Sequence, residues 1–301
     1  PLQADASLPD TIRKAQVDFC FNIAEGLGGD SREAQAPALL EMLGIPYTGS
    51  KVLAHAISLD KAITKRIWRD AGLPTAPFQT FYRGDEPLDP ALTFPLFVKP
   101  MREGSGMGIG AKSVVHDGPA LREQVDWVLR SYHQPALVET YLTGREFTVG
   151  LVGNRLQPGQ GRASSFYDER GYHVLPVLEI DVSNLKEDGL LYTGYIKSKT
   201  PMAPRYLCPA PIPQALASQL QQLAVSAFEA IGGLDMARVD FRLGAQGEPY
   251  LLEINTLPGM NPDISDLCIM ARAGGMPYEQ MVNDILQLAA RRYGLLEESR
   301  G

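Results

Sequence analysis

The sequence lacks any run approaching the ~18 consecutive apolar residues that a membrane-spanning helix needs, and its N-terminus lacks the charged-then-apolar pattern of a secretory signal. A membrane partner is therefore not expected. Cysteine is scarce: Cys20, Cys208 and Cys268 are far apart and odd in number, which speaks against a disulfide frame or zinc site and for a reducing cytoplasm. Lys/Arg-rich runs are also missing. With 28 Lys+Arg against 35 Asp+Glu, the formal net charge of -7 offers no electrostatic footprint for nucleic acid. What remains is ordinary globular usage, 45% hydrophobic and 21% charged, in a 301-residue chain long enough for a large core and more than one domain. The chain opens on Pro1 rather than Met, as a processed or truncated product would.

The first part reads as α/β. Residues 17–23, VDFCFNI, form a short apolar run suited to a buried parallel strand, and the run ends in the glycine-rich turn AEGLGGDSRE. A helix follows, capped by Asp30 or Ser31, with Pro37 in its opening turns and Ala38, Leu39, Met42 and Leu43 as an apolar stripe that stops at Gly44. Residues 45–48 make a second short strand. Over 58–71 the period is helical again, with Ile63, Ile67 and Ala71 on one face and Lys61, Lys65, Arg66 and Arg69 largely on others, as on a solvated surface.

The stretch FPLFVKPMREGSGMGIGAKSVV predicts a strand over 94–98, a loop over 103–110 and a strand over 111–115. Gly104, Gly106, Gly108 and Gly110 free the backbone to aim successive N–H groups at a phosphate, and Lys99 can carry its charge to the same place. The loop opens a β-branched run rather than a helix, which argues against a dinucleotide-binding turn. A glycine loop with no ligand is the alternative. A helix over 121–131 then leads to strands over 136–141 and 145–152, with Glu139 and Glu146 on either side of the Gly144 turn.

Residues 237–260, ARVDFRLGAQGEPYLLEINTLPGM, read as two strands, 238–243 and 250–254, joined by a turn. Glu253 lies among Leu251, Leu252 and Ile254, and a buried carboxylate needs a cation, a proton or a metal nearby. Period two puts Glu253 and Asn255 on one face, and Asp240 on the facing strand can meet them, with Arg238 alongside. Three oxygen-bearing side chains suit a hard cation such as magnesium. An ordinary salt-bridged hairpin is the alternative.

Taken in order and spacing, DKAITKR at Lys61, FVKPMREGSGMG at Lys99, VETYLTGREFTV at Glu139 and the hairpin from Arg238 to Met260 resemble the ATP-grasp ligases of the D-alanine–D-alanine ligase type. The similarity covers nearly the whole chain. It implies an α/β (α+β) ATP-grasp fold with a shortened N-terminal α/β domain over 1–50, a central domain over 51–138 and a C-terminal domain over 139–301, with ATP between the last two. By position, Lys61 and Lys99 match the lysines that hold the ATP phosphates, and either Lys197 or Lys199 is the third. Ser105 belongs to the loop that closes over those phosphates, while Glu139, Tyr141 and Leu142 fall in the hinge that meets adenine and Glu146 matches the ribose-binding acid. Asp240, Glu253 and Asn255 match the magnesium ligands, with two ions expected and manganese as an alternative. Arg238 and the backbone N–H of Gly259 match the groups that stabilise the acyl phosphate and the tetrahedral intermediate.

The implied activity is ATP-dependent joining of a carboxylate to an amine through an acyl phosphate, on small amino-acid or peptide substrates, by a cytoplasmic and homodimeric enzyme. Residues 164–204, rich in Gly, Ser, Lys and acids, are expected to form a lid that excludes water. The chain also departs from the pattern. The first strand and glycine-serine loop that help bind the first amino acid have no counterpart, because VDFCFNIAEG arrives only 16 residues in. After NTLPGM the ligases carry a serine for the second D-alanine's carboxylate; here the text is one residue longer, so Ile264 or Ser265 takes that position. Asp263 and Asp266 add negative charge there, which disfavours a carboxylate unless they point away. Glu25, Arg32 and Glu33 are candidates to rim a different substrate pocket. D-alanine is therefore not expected as both substrates. A non-catalytic ATP-binding protein derived from this fold is the alternative, favoured by the missing loop and opposed by the intact Arg238, Asp240, Glu253 and Asn255.

Overall fold

Among the described residues, two antiparallel sheets carry most of the buried apolar residues. The structure is a computed structural model and describes residues 1–104, 106–182 and 204–296. The four-stranded sheet contains β1 (Phe78–Phe81), β2 (Leu96–Pro100), β3 (Val114–Val115) and β4 (Ala136–Thr140) in the order β1-β4-β2-β3. Helix α5 (Gly118–Tyr132) covers one face, because Leu121, Val125 and Val128 recur at helical spacing and meet Phe81, Leu96, Val98 and Val138. Asp117 caps that helix by accepting from the Ala120 N–H at 2.9 Å.

The larger sheet is built from β5 (Glu146–Gly153), β6 (Tyr172–Val174), β7 (Leu178–Asp181), β8 (Arg205–Leu207), β9 (Met236–Leu243) and β10 (Pro249–Asn255). Its core path is β10-β9-β5-β7-β8, with β6 paired to β5. On one face lie α6 (Gln214–Ala230) and Trp68, packed on Phe147, Val149, Val239 and Phe241. On the other, α7 (Asp266–Ala273) and α8 (Tyr278–Arg292) bring Leu267, Met270, Met281 and Ile285 against Val152, Leu178 and Met236. Strand β4 pairs along its whole length inside the first sheet, so the division between the sheets lies between Thr140 and Glu146 rather than at residue 138. Of the residues expected to form a lid, Tyr167 is buried and Leu178 and Ile180 sit in the core. That part, 164–182, is packed structure, and the rest of the expected lid up to residue 203 lies outside the described residues.

The N-terminal region holds α1 (Leu8–Ala15) and α2 (Gln35–Met42) around Ile12, Leu40 and Tyr47. The two expected strands shrink to one parallel bridge between Cys20 and Tyr47, and Ile23 is exposed. A 3-10 turn, Arg32–Ala34, takes up the start of the expected helix and shifts its phase, so Ala36, Pro37 and Leu40 face inward and Met42 is 85% exposed. The expected strand over 111–115 is a 3-10 turn followed by β3, because Gly110 and Ser113 bond to each other twice, Gly110 N to Ser113 Oγ at 3.1 Å and Ser113 N to Gly110 O at 2.9 Å.

The largest correction concerns the helix over 58–71. It is two helices, α3 (Val52–Leu59) and α4 (Lys61–Asp70), broken at Asp60, whose extended backbone and side-chain bond from Ile63 N at 3.0 Å start α4 afresh. The faces are only partly as expected: Ile67 packs on the core and Arg66 and Arg69 are exposed. Ile63 is exposed, while Lys61 and Lys65 are buried.

Asp235 joins the N-terminal region to the larger sheet. Fully buried, it accepts from Gly49 N at 2.8 Å, Asn154 Nδ2 at 2.7 Å and Arg292 Nη2 at 2.9 Å. Asp235→Ala strands the Arg292 charge, and the expected loss is about 3–5 kcal/mol in urea unfolding. A loss below ~1 kcal/mol would contradict this role for the pair.

Candidate active site

Strand β9 alternates cleanly: Val239 and Phe241 face the core, and Arg238, Asp240 and Arg242 face the cleft between the sheets. Strand β10 does not. Leu251 pairs with Phe241 and Glu253 with Asp240, so Leu252 is an extra residue in the ladder. Such a bulge changes the phase of the strand. Leu251 before it is buried against the core, and Glu253 after it turns to the cleft opposite Asp240, with Asn255 opposite Arg238.

Charges converge on this hairpin from three other elements. Lys61, at the start of α4, sets its Nζ 3.1 Å from Glu253 Oε2 and also donates to the Glu103 carbonyl at the root of the glycine loop. Arg238 donates from Nε and Nη2 to Asp240 at 3.0 and 2.9 Å, and from Nη1 to Asp266 at 2.9 Å. Thr148 on β5 donates to Asp240 Oδ1 at 2.6 Å. Burial opposes ionisation of Glu253, but Lys61, Lys99 and Arg238 outweigh it and hold that carboxyl down to about 2. Asp240 is pushed up, by burial first and by the Glu253 charge across the hairpin, against the pull of Arg238.

Behind the hairpin lies a buried charge cluster. Lys99 Nζ on β2 is 2.6 Å from Glu139 Oε1, and Lys65 Nζ is 3.0 Å from Glu139 Oε2. Burial alone would lift Glu139; the two ammonium groups bring it to about 2. The Glu139 side chain thus points at lysines. Of the expected hinge, Tyr141 stacks on Phe97 with centroids 6.1 Å apart and has Arg242 over its ring at 5.5 Å, and Leu142 is buried. Glu146 faces Arg242 at 3.7 Å, and burial raises its carboxyl to about 7, helped by Asp240 and Glu253 and resisted by Arg242.

A cavity of about 230 Å³ opens on the hairpin and is lined by Lys61, Arg238, Glu253, Asn255 and Gly259. Glu25, Arg32 and Glu33 line it too, as does the loop residue Gly104. A Cβ at Gly259 would stand 2.8 Å from Ser265 Oγ, so a side chain there would displace that hydroxyl. Ser265 and Ile264 both line the cavity; Asp263 is exposed, and Asp266 points in. Ser105, Lys197 and Lys199 lie outside the described residues. Lys65 was expected only on a solvated helix face, although it is one helical turn from Lys61 and so shares its face.

Among the described residues no group of three or more His, Cys, Asp and Glu is set to hold a metal. Asp240 and Glu253 are cross-strand neighbours with Asn255 on the same face, an all-oxygen set that fits magnesium. Each carboxylate now leans on a cation, and the Asn255 side-chain oxygen accepts from Leu257 N at 2.8 Å.

Comparison with known proteins gives a consistent answer. The family model described as "D-ala D-ala ligase C-terminus" matches residues 67–287. The uncharacterized protein y4sG of Sinorhizobium fredii is 37% identical over 285 residues, 95% of this chain and 78% of that one. The D-alanine–D-alanine ligase of Nitrosococcus oceani is 33% identical over 294 residues, covering 97% and 83%, and that of Bordetella avium is 36% identical, covering 94% and 83%. The crystal structure of Bacillus anthracis D-alanine–D-alanine ligase complexed with ATP superposes with a TM-score of 0.74 at 23% identity, over 98% of this chain and 86% of that one.

The Glu146 carboxyl should titrate near pH 7 in carboxyl-carbon NMR of the ligand-free protein. Its folded-state value lies above the ordinary 4.5, so the folded state binds the extra proton between those values and stability falls as pH rises from about 4.5 to about 7. Glu146→Gln should remove that slope, and a midpoint close to 4.5 would contradict the burial account.

Proposed function

The chain belongs to the D-alanine–D-alanine ligase family and has its ATP-grasp fold, and on that premise we propose how its own residues perform ATP-dependent joining of a carboxylate to an amine. One observation carries the reading: Asp240 and Glu253 meet across a bulged hairpin with Lys61 and Arg238 against them in one cleft. A carboxylate is a poor acyl donor. Its oxygen attacks the γ-phosphate of ATP, ADP leaves, and an acyl phosphate forms that an amine then attacks. Lys61 and Lys99 would meet the transferring phosphates from two elements, and the glycine loop beyond Gly104 would add backbone N–H groups. Magnesium, held by Asp240, Glu253 and Asn255, would neutralise charge on the phosphates and polarise the γ-phosphoryl group.

The oxyanion that forms as the amine attacks is the second place where charge develops. Arg238 and the Gly259 backbone N–H line the same cavity and would stabilise it. Glu146, once ionised, accepts from ribose hydroxyls, and Tyr141 with Leu142 borders the base. A non-catalytic ATP-binding role is disfavoured, since Arg238, Asp240, Glu253 and Asn255 are all present in the cleft. No described helix is long and apolar enough to cross a membrane, and three free cysteines suit a cytoplasmic setting.

ADP release with ATP and magnesium, screened over pairs of D- and L-amino acids and small peptides, should be stimulated by at least one pair. Asp240→Asn and Glu253→Gln should each lower it by about 100-fold or more with unchanged circular dichroism. Wild-type-like turnover in either variant would remove the metal assignment, and absence of both ATP binding and stimulation would remove the ligase reading.

A further inference from the structure

Asp266 opens α7 beside the reactive hairpin, is 4% exposed, and lies against Arg238. A guanidinium presents its donors in a fixed planar fork, well matched to one bidentate carboxylate. On Arg238 that bidentate partner is Asp240, through Nε and Nη2. The remaining Nη1 donates to Asp266. One positive charge is thus shared by two carboxylates of the chain itself; even with Asp240 given to magnesium, Asp266 keeps Arg238 neutralised, and a substrate carboxylate there would face the Asp266 charge. The rest of the cavity has the same balance. Leaving Glu253 to the metal, its lining still holds the carboxylates of Glu25, Glu33, Glu103 and Asp266 against the cations of Arg32, Lys61 and Arg238. Ser265, next to Asp266, accepts from Asn261 N at 2.9 Å, which leaves its hydroxyl proton for an acceptor on the substrate.

We infer that Asp266 is a specificity-determining residue that closes the acceptor side of this site to carboxylates, so that the attacking amine carries a neutral or cationic group beside its nitrogen. The inference rests on the ligase reading above. In the coupling step the amine nitrogen forms the N–C bond, the bond from the acyl carbon to the phosphate oxygen breaks, inorganic phosphate leaves with the electron pair, and the nitrogen loses one proton to solvent. Asp263, the other acid in this loop, is exposed and takes no part.

The test is a competition within the full chain, with ATP, magnesium and a donor chosen from D- and L-amino acids by its conversion to the hydroxamate in hydroxylamine. Hydroxylamine is small and neutral, so it reports the acyl phosphate whatever the acceptor preference. With that donor, D-alaninamide and D-alanine are then offered at equal concentration, and the two coupled products are measured by mass spectrometry. At least a tenfold excess of the alaninamide product is expected, and Asp266→Asn should move the ratio tenfold or more towards the D-alanine product. A product ratio does not depend on how much of the variant is active. Equal or preferential use of D-alanine by the wild type would overturn the inference, as would an unchanged ratio in Asp266→Asn. Hydroxamate with neither coupled product overturns it too and leaves the ligase reading standing, whereas no hydroxamate from any donor together with no ADP release removes both.

Discussion

One ammonium group that never reaches solvent ties the two sheets together. Lys65 Nζ lies 3.0 Å from Glu139 on β4, 2.7 Å from Thr75 Oγ1 and 3.2 Å from the Leu251 carbonyl on β10. A charge in the interior is tolerable only where such partners surround it, so the partners are held in turn. Glu139 gives its other oxygen to Lys99. Two ammonium groups share one carboxylate, and the surplus positive charge stands at the floor of the cleft, where polyphosphate would be drawn.

The same contact shapes the hairpin. Leu251 is fixed by its N–H to Pro74 O at 2.9 Å and by its carbonyl to Lys65 and Thr75, immediately before the extra residue Leu252. After that bulge the strand changes phase, and Glu253 leaves the core side for the cleft. Without it, period two would place Glu253 on the buried side with Leu251. The acid pair at the centre of the site thus depends on a lysine that touches neither acid.

These dependencies explain what was legible in the sequence. Strand β9 was readable because its apolar and charged residues alternate without interruption, and Asp240 opposite Glu253 followed from hairpin pairing. The bulge was not readable, since nothing in Leu251–Leu252–Glu253 marks it; the residue before it is held by Thr75 and Lys65, 176 and 186 residues away along the chain. The burial of the α4 lysines also has a distant origin. Lysines default to solvent, and the carboxylates that bury Lys61 and Lys65 come from β10 and β4. Asp60 did offer a local signal, an N-cap residue before KAITKR, that the helix begins there. Near the substrate, spacing could not choose between Ile264 and Ser265, because one extra residue shifts the loop; the exposed Asp263 and the buried Asp266 separate only when α7 is in place.

If the cleft works as proposed, it converts a carboxylate into an acyl phosphate before an amine attacks. A donor amino acid labelled with ¹⁸O in its carboxylate tests this directly, by mass analysis of the phosphate released during coupling. The account predicts one labelled oxygen in inorganic phosphate for each amide formed. Unlabelled phosphate alongside amide product would contradict it.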